Sequence, residues 1–225
     1  MNKVEDKKQA SLMEIISGQG AYRFTKKLHK EIPQVSSILS KSHQYDVGTG
    51  VLKTLNNIAF FEIKPKDGHE YTSVLGKFGS KRVYRWIRSD YINEPEGFDT
   101  YRVVLPKANG SGAIGEVLST PLIGEPLIGF TQTFISIGYF KTRAEAEACL
   151  KYVKTKFART MLGVLKVTQD NPKDKWKYVP LQDFGEGSDI DWSKSVSEID
   201  QQLYRKYGLD AHEIEFIESK VKAME

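Results

Sequence analysis

The stretch from Ile128 to Asp170 limits the possible folds of this chain more than any other part of it. Residues 128–137 are rich in aromatic and β-branched side chains, a composition that predicts one buried strand. Thr142 and Glu145 then have the spacing of a capping box, in which hydroxyl and carboxylate satisfy free backbone donors at a helix start. Apolar residues recur from there to Leu165 at steps of three and four, which predicts one long amphipathic helix.

The side of that helix opposite the apolar stripe carries Lys151, Thr155, Arg159 and Lys166. Such a face is commonly solvated. Alternatively, it can lie on a polyanion, where each lysine or arginine displaces condensed counterions. On this second interpretation Lys151, Thr155 and Arg159 are predicted DNA contacts.

Composition narrows the class of protein. The chain has 225 residues, of which 40% are hydrophobic and 28% charged, as in soluble globular proteins. Its net charge of +4 permits a nucleic-acid partner without requiring one. Cys149 is the single cysteine, so no internal disulfide can form. No apolar run reaches about 18 residues and the N-terminal residues are charged, so we expect a cytoplasmic protein with neither a secretory signal nor a membrane partner.

The first half of the chain is predicted to be mainly β. Residues 44–63 have the pattern of a strand, a glycine turn and a second strand, and further strands are expected at 81–92 and 101–105. After Thr142 helices dominate.

The C-terminal segment predicts a helical hairpin. Ser195 and Glu198 form a capping box, Gly208 ends the first helix, and Asp210 and Glu213 open the second. The apolar seams of these helices are too narrow for a core of their own, so we expect the hairpin to pack on another surface. The predicted fold is α+β: a mixed, β-rich N-terminal half, a long amphipathic helix and the hairpin. We divide it into a larger domain (1–190) and the hairpin (191–225).

Two short motifs suggest cofactor or metal chemistry. Gly110 to Gly115 match the dinucleotide-binding fingerprint, which requires a helix directly after it. Pro121 and Pro126 follow within a few residues and prevent that helix, so we expect a glycine loop. Glu62 and Lys64, with Asp46 upstream, have the form of a metal-dependent nuclease signature, in which two carboxylates hold a hard cation and the lysine stabilises developing charge. Such a nuclease is an alternative function.

The stretch from Lys81 to Arg88 favours nucleic acid more directly. Strand alternation places Arg82, Tyr84, Trp86 and Arg88 on one face. Two guanidinium groups and two rings form a poor core, but they can contact phosphates, guanine edges, sugars and splayed bases. The alternative is a solvated sheet face with cation–π pairs.

An ordered set of short stretches, from about Ile15 to Glu225, resembles a known family. The set comprises Tyr22-Arg23-Phe24, residues 47–54 leading to Phe60-Phe61, and residues 101–103, 110–112, 131–135, 145–147, 152, 155–159, 179–184, 189–192 and 199–203. In this order they resemble the target-recognition and C-terminal region of adenine-specific DNA methyltransferases of bacterial restriction-modification systems, in particular those in which nuclease, methylase and recognition parts share one chain.

The resemblance implies a module that docks on double-stranded DNA and reads a short site for a methyltransferase catalytic domain, in the same chain or a separate one. That domain would bind S-adenosylmethionine and flip out the target adenine. In this chain the methyl-donor motif is absent, and Asn171-Pro172 lacks the second proline and the aromatic residue of the catalytic motif. We therefore expect no catalytic centre, cofactor or metal here. Lys53, within the glycine stretch 47–54, completes the predicted DNA contacts. A protein-interaction module acting through the hairpin is the remaining alternative.

Overall fold

A computed structural model describes residues 10–17, 20–108 and 113–224. Both helices and sheets are present, which confirms the predicted α+β class. Residues 110–112 of the dinucleotide-like motif lie outside the described residues.

The strands are β1 (Ile16–Ser17), β2 (Tyr71–Phe78), β3 (Lys81–Arg88), β4 (Tyr101–Pro106), β5 (Leu122–Gly124), β6 (Ile128–Phe130) and β7 (Phe134–Phe140). The helices are α1 (Lys26–Glu31), α2 (Gln34–Ile38), α3 (Val51–Thr54), α4 (Arg143–Lys154), α5 (Lys156–Gly163), α6 (Val196–Tyr207) and α7 (Ala211–Lys220). Short 3-10 turns occupy Leu12–Ile15, Lys41–His43, Ser89–Tyr91 and Lys173–Trp176.

The chain forms two compact units. The first contains the described parts of Met1–Ser17, Tyr101–Gly124 and Ile135–Glu225, and the second those of Gly18–Thr100 and Glu125–Phe134. This division differs from the predicted domains 1–190 and 191–225, because residues on both sides of position 190 share the core of the first unit.

The first unit packs helices on a sheet of strand order β1-β7-β4-β5. The apolar stripe of α4 and α5 is buried as predicted, including Cys149, Val153 and Phe157. The predicted hairpin is also confirmed. Both predicted capping boxes are formed, and Asp210 and Glu213, predicted to open the second helix, form a third. Gly208 ends α6 in the left-handed conformation, at φ 60°. Both helices of the hairpin contribute to the core of the unit, through residues such as Leu203 and Ile217.

The prediction of one long helix is wrong, because the chain breaks at Thr155. Its extended backbone ends α4, and its side-chain oxygen accepts a hydrogen bond from the backbone of Ala158 to begin α5. The carboxylate of Asp200, on α6, accepts the backbone N–H groups of Lys156 (3.0 Å) and Phe157 (2.9 Å). A residue distant in sequence thus satisfies the donors that the break exposes.

The second unit contains a sheet of strand order β3-β2-β6, in which β2 pairs antiparallel with β3 and parallel with β6. The prediction that residues 128–137 form one strand is therefore wrong. β6 belongs to this sheet, whereas β7 belongs to that of the first unit. Between them the hydroxyl of buried Thr131 donates a hydrogen bond to that of Thr133.

The predicted strand pair within residues 44–63 is also wrong. This stretch contains α3, followed by a turn at Asn57, whose φ is 58°. Phe61 then exchanges two backbone hydrogen bonds with Trp86, each 2.8 Å long.

Candidate nucleic-acid interface

The predicted basic and aromatic strand is one arm of a β-hairpin. β2 and β3 pair from Tyr71↔Arg88 to Phe78↔Lys81, and Gly79 and Ser80 form the connecting turn. Gly79 has a φ of 63°, which favours glycine in such a turn. Because β6 pairs with β2 only at residues 73–75, residues 76–83 form a ribbon that β6 does not extend. We call residues 76–83 the ribbon.

The ribbon is basic. Lys77 lies opposite Arg82, and Lys81 lies opposite Phe78. Both lysines are exposed, and among the described residues neither has an acidic side chain at ion-pair distance. The guanidinium of Arg82 lies 5.6 Å from the ring centroid of Phe134, and burial lowers the pKa of Arg82. Arginine nevertheless remains charged at neutral pH, so the ribbon presents three cations.

Tyr84 and Trp86 lie on the same face of β3 as Arg82, as predicted, but they differ in exposure. Tyr84 is 47% exposed and leaves a ring open to solvent. Trp86 is half-buried, and the ammonium of Lys64 lies 5.4 Å from its ring centroid. Of the two predicted rings, Tyr84 is therefore the better placed to contact a ligand.

Arg88 has structural partners. Its guanidinium bonds Glu31 at 2.8 Å and Asp90 at 2.7 Å, and it lies 4.3 Å from the ring centroid of Tyr91. The hydrogen bond to Asp90 raises the pKa of Arg88, and burial together with a hydrogen bond to Glu31 raises that of Tyr91 to about 12. Arg88 thus ties α1 to the end of β3, and a phosphate would have to displace a carboxylate to bind it.

The prediction that Thr155 and Arg159 lie on an exposed basic face is wrong, because both residues are buried. Arg159 is only 2% exposed, and its guanidinium donates to the backbone carbonyl oxygen of Gly115 at 2.8 Å and to that of Lys222. Lys166 is also buried, paired with Glu116. These polar groups hold neighbouring segments of the first unit in place.

Lys151 and Lys53 have different surroundings. Lys151 is half-buried, and its ammonium donates to the backbone carbonyl oxygens of Trp192 (2.8 Å) and Lys194 (3.0 Å). Lys53 is exposed on α3 in the second unit. Of the two, Lys53 remains open to an external ligand.

The three residues of the nuclease signature have separate partners. Asp46 pairs with Arg23 at 3.2 Å and His43 at 2.8 Å, whereas exposed Glu62 lies 3.5 Å from Arg85. Lys64 stacks on Trp86. Within the described ranges, no three His, Cys, Asp or Glu side chains are grouped so that they could hold a metal ion.

Sequence reasoning missed Lys77 because it did not predict β2, and it left out Lys81 because strand alternation places Lys81 on the face opposite Arg82. The signal was present, since Gly79-Ser80 separates two eight-residue runs rich in β-branched and aromatic side chains, a hairpin pattern.

Among the described residues, no helix is long and apolar enough to cross a membrane. Comparison of the chain with models of known protein families and with curated proteins gives no match.

Proposed function

We propose that this chain binds double-stranded DNA through the ribbon, as the recognition module of an adenine-specific restriction-modification methyltransferase. The observation that carries the DNA proposal is the exposed pair Lys77 and Lys81 on a two-stranded ribbon with Arg82. The major groove of B-DNA admits a ribbon of this kind, and phosphates line both sides of the groove. The ordered resemblance to recognition regions supports the wider assignment, with the cytoplasm as the place of action.

The residues have distinct roles in this proposal. Lys77, Lys81 and Lys53 contact phosphates, which positions the protein without reading sequence. Arg82, whose guanidinium lies over the ring of Phe134, contacts a phosphate or a guanine edge. Tyr84 packs on a sugar or base. S-adenosylmethionine and methyl transfer belong to the catalytic domain.

The test is salt-dependent binding of a labelled random duplex, measured by fluorescence anisotropy. For the unaltered chain, non-specific binding should have a Kd of roughly 10⁻⁴–10⁻⁶ M at physiological salt. Each phosphate contact contributes about 0.9 to the slope of log affinity against log salt, so the double variant Lys77→Gln/Lys81→Gln should lose about 1.8 from that slope.

A matched control is Lys173→Gln/Lys222→Gln, which removes the same charge from exposed positions of the first unit. It should bind as the unaltered chain does. Equal salt slopes for the two double variants would show that the ribbon does not contact DNA. Absence of duplex binding at low salt would show that the chain is not a DNA-binding module. Magnesium-dependent nicking that disappears in Glu62→Ala would instead favour the nuclease alternative.

A further inference from the structure

A pocket of about 300 Å³ lies in the second unit, beside the glycine stretch 47–54. Its lining includes His43, Asp46, Gly48 and Gly50, from the segment 39–54, and Gln132 from a distant part of the chain. The ribbon proposal does not use these residues.

Gln132 lines this pocket, and its backbone is held in place. Its neighbours Thr131 and Thr133 are buried and hydrogen-bonded to each other, and its own backbone N–H donates to the carbonyl oxygen of Val47 at 2.9 Å. Among the described residues the carboxamide has no hydrogen-bond partner. It therefore offers donors and an acceptor to a ligand, on a residue whose backbone is held on both sides.

His43 presents a second hydrogen-bonding group. Asp46 accepts from Nδ1 of His43 at 2.8 Å, and Arg23 lies 3.2 Å from the other carboxylate oxygen of Asp46. This arrangement orients the imidazole and leaves Nε2 for a ligand. The side chain of His43 is 68% exposed, whereas that of Asp46 is 14% exposed, so the histidine faces the opening.

The walls of the pocket suit a flat ring. A side chain at Gly48 or Gly50 would meet no atom within 4 Å, so both glycines border open space. Leu39 and Val51 add apolar surface. A planar heterocycle with polar edges satisfies both the walls and the hydrogen-bonding groups.

The pocket is also joined to the ribbon. α3 contributes Val51 and Thr54 to the pocket, and its Leu52 packs directly on Gly76, the first residue of the ribbon. Thr131, adjacent to Gln132, packs on the same glycine. α3 therefore forms part of the pocket wall and also packs on the base of the ribbon.

We infer that this pocket reads one nucleobase of the bound DNA, with Gln132 and His43 as specificity-determining residues. The inference rests on the proposed function. A glutamine carboxamide pairs in a bidentate manner with the N6 and N7 atoms of adenine, so adenine is the base that Gln132 selects. Loss of this pair relaxes the preference at one position and leaves the phosphate contacts intact.

The experiment is selection from a randomised duplex pool by the full chain, followed by sequencing. The unaltered chain should enrich a short motif. Gln132→Leu should lose about 10-fold of the preference at one position, and its Kd for the unselected pool should stay within about twofold. His43→Gln, which keeps a polar side chain, should relax the same or an adjacent position.

The control Gln34→Leu makes the same change at an exposed position of the same unit and should leave the motif unaltered. Lys77→Gln/Lys81→Gln should weaken binding to all sequences while keeping the preferences. Enrichment of the same motif by both pocket variants, or enrichment of none by the unaltered chain, would overturn the inference while duplex binding stands. A chain that binds no duplex at all would overturn the proposed function and this inference together.

Discussion

Asp200 allows a quantitative test of the packing between α5 and α6. Its side chain is 2% exposed, and its carboxylate accepts the backbone N–H groups of Lys156 and Phe157. Burial outweighs these two hydrogen bonds and raises the pKa of Asp200 from 3.8 to about 6. The substitution Asp200→Asn keeps the shape of the side chain, retains one carbonyl oxygen as an acceptor and removes the titration.

The direction of the pH dependence of the unfolding free energy follows from proton linkage. The folded state binds the proton of Asp200 more tightly than the unfolded state, so this contribution to stability is complete below about pH 4 and is lost as the pH rises through about 6. A shift of about two units corresponds to about 3 kcal/mol at 1.36 kcal/mol per unit. Relative to Asp200→Asn, the unaltered chain should therefore lose most of this, about 2–3 kcal/mol of unfolding free energy, between pH 4 and pH 7.

Urea unfolding followed by circular dichroism at pH 4, 5, 6 and 7 measures this difference. A useful control is Asp191→Asn, because Asp191 is exposed and hydrogen bonds from Ser193 lower its pKa. The contribution of Asp191 is lost only as the pH falls below about 4, so Asp191→Asn should show little pH dependence between pH 4 and pH 7. A difference between the unaltered chain and Asp200→Asn that stays constant from pH 4 to pH 7 would refute the reasoning.

Three further predictions concern packing and backbone conformation. Gly76→Ala should cost about 1–3 kcal/mol in chemical unfolding, because the new methyl group would overlap the side chains of Leu52 and Thr131; unchanged stability would show that they move aside freely. Gly208→Ala should cost about 1 kcal/mol, because alanine disfavours a φ of 60° even where space is open. A gain in stability in the same assay would contradict this prediction. Cys149 is fully buried, which raises the pKa of its thiol, so a disulfide reagent should modify it only in urea; rapid reaction of the folded chain would disprove the burial.

The predicted DNA contacts divide according to what covers each side chain. Lys53 and Tyr84 are exposed and remain available, and Arg82 is part of the ribbon. Thr155 and Arg159 are buried in the first unit. A helical projection places a residue on one side of its own helix, but it carries no information about which other segments cover that side.

Features that depend on neighbouring residues could be predicted from the sequence alone. The capping boxes at Thr142, Ser195 and Asp210 need only a short polar side chain and a glutamate three residues later, and Gly208 needs only its lack of a Cβ. The apolar stripe of α4 and α5 and the shared face of Arg82 and Tyr84 follow from the periods of helix and strand.

Tertiary structure decided the features that depend on distant partners. The helix break at Thr155 is stabilised by Asp200, which lies on a different helix. Residues 128–137 divide between two sheets because β6 pairs with β2, which is more than fifty residues away along the chain. Arg159 is buried because the carbonyl oxygens of Gly115 and Lys222 accept its hydrogen bonds in place of water. In each case the free energy of a local segment was too small to select its conformation, and hydrogen bonds to a remote segment selected it.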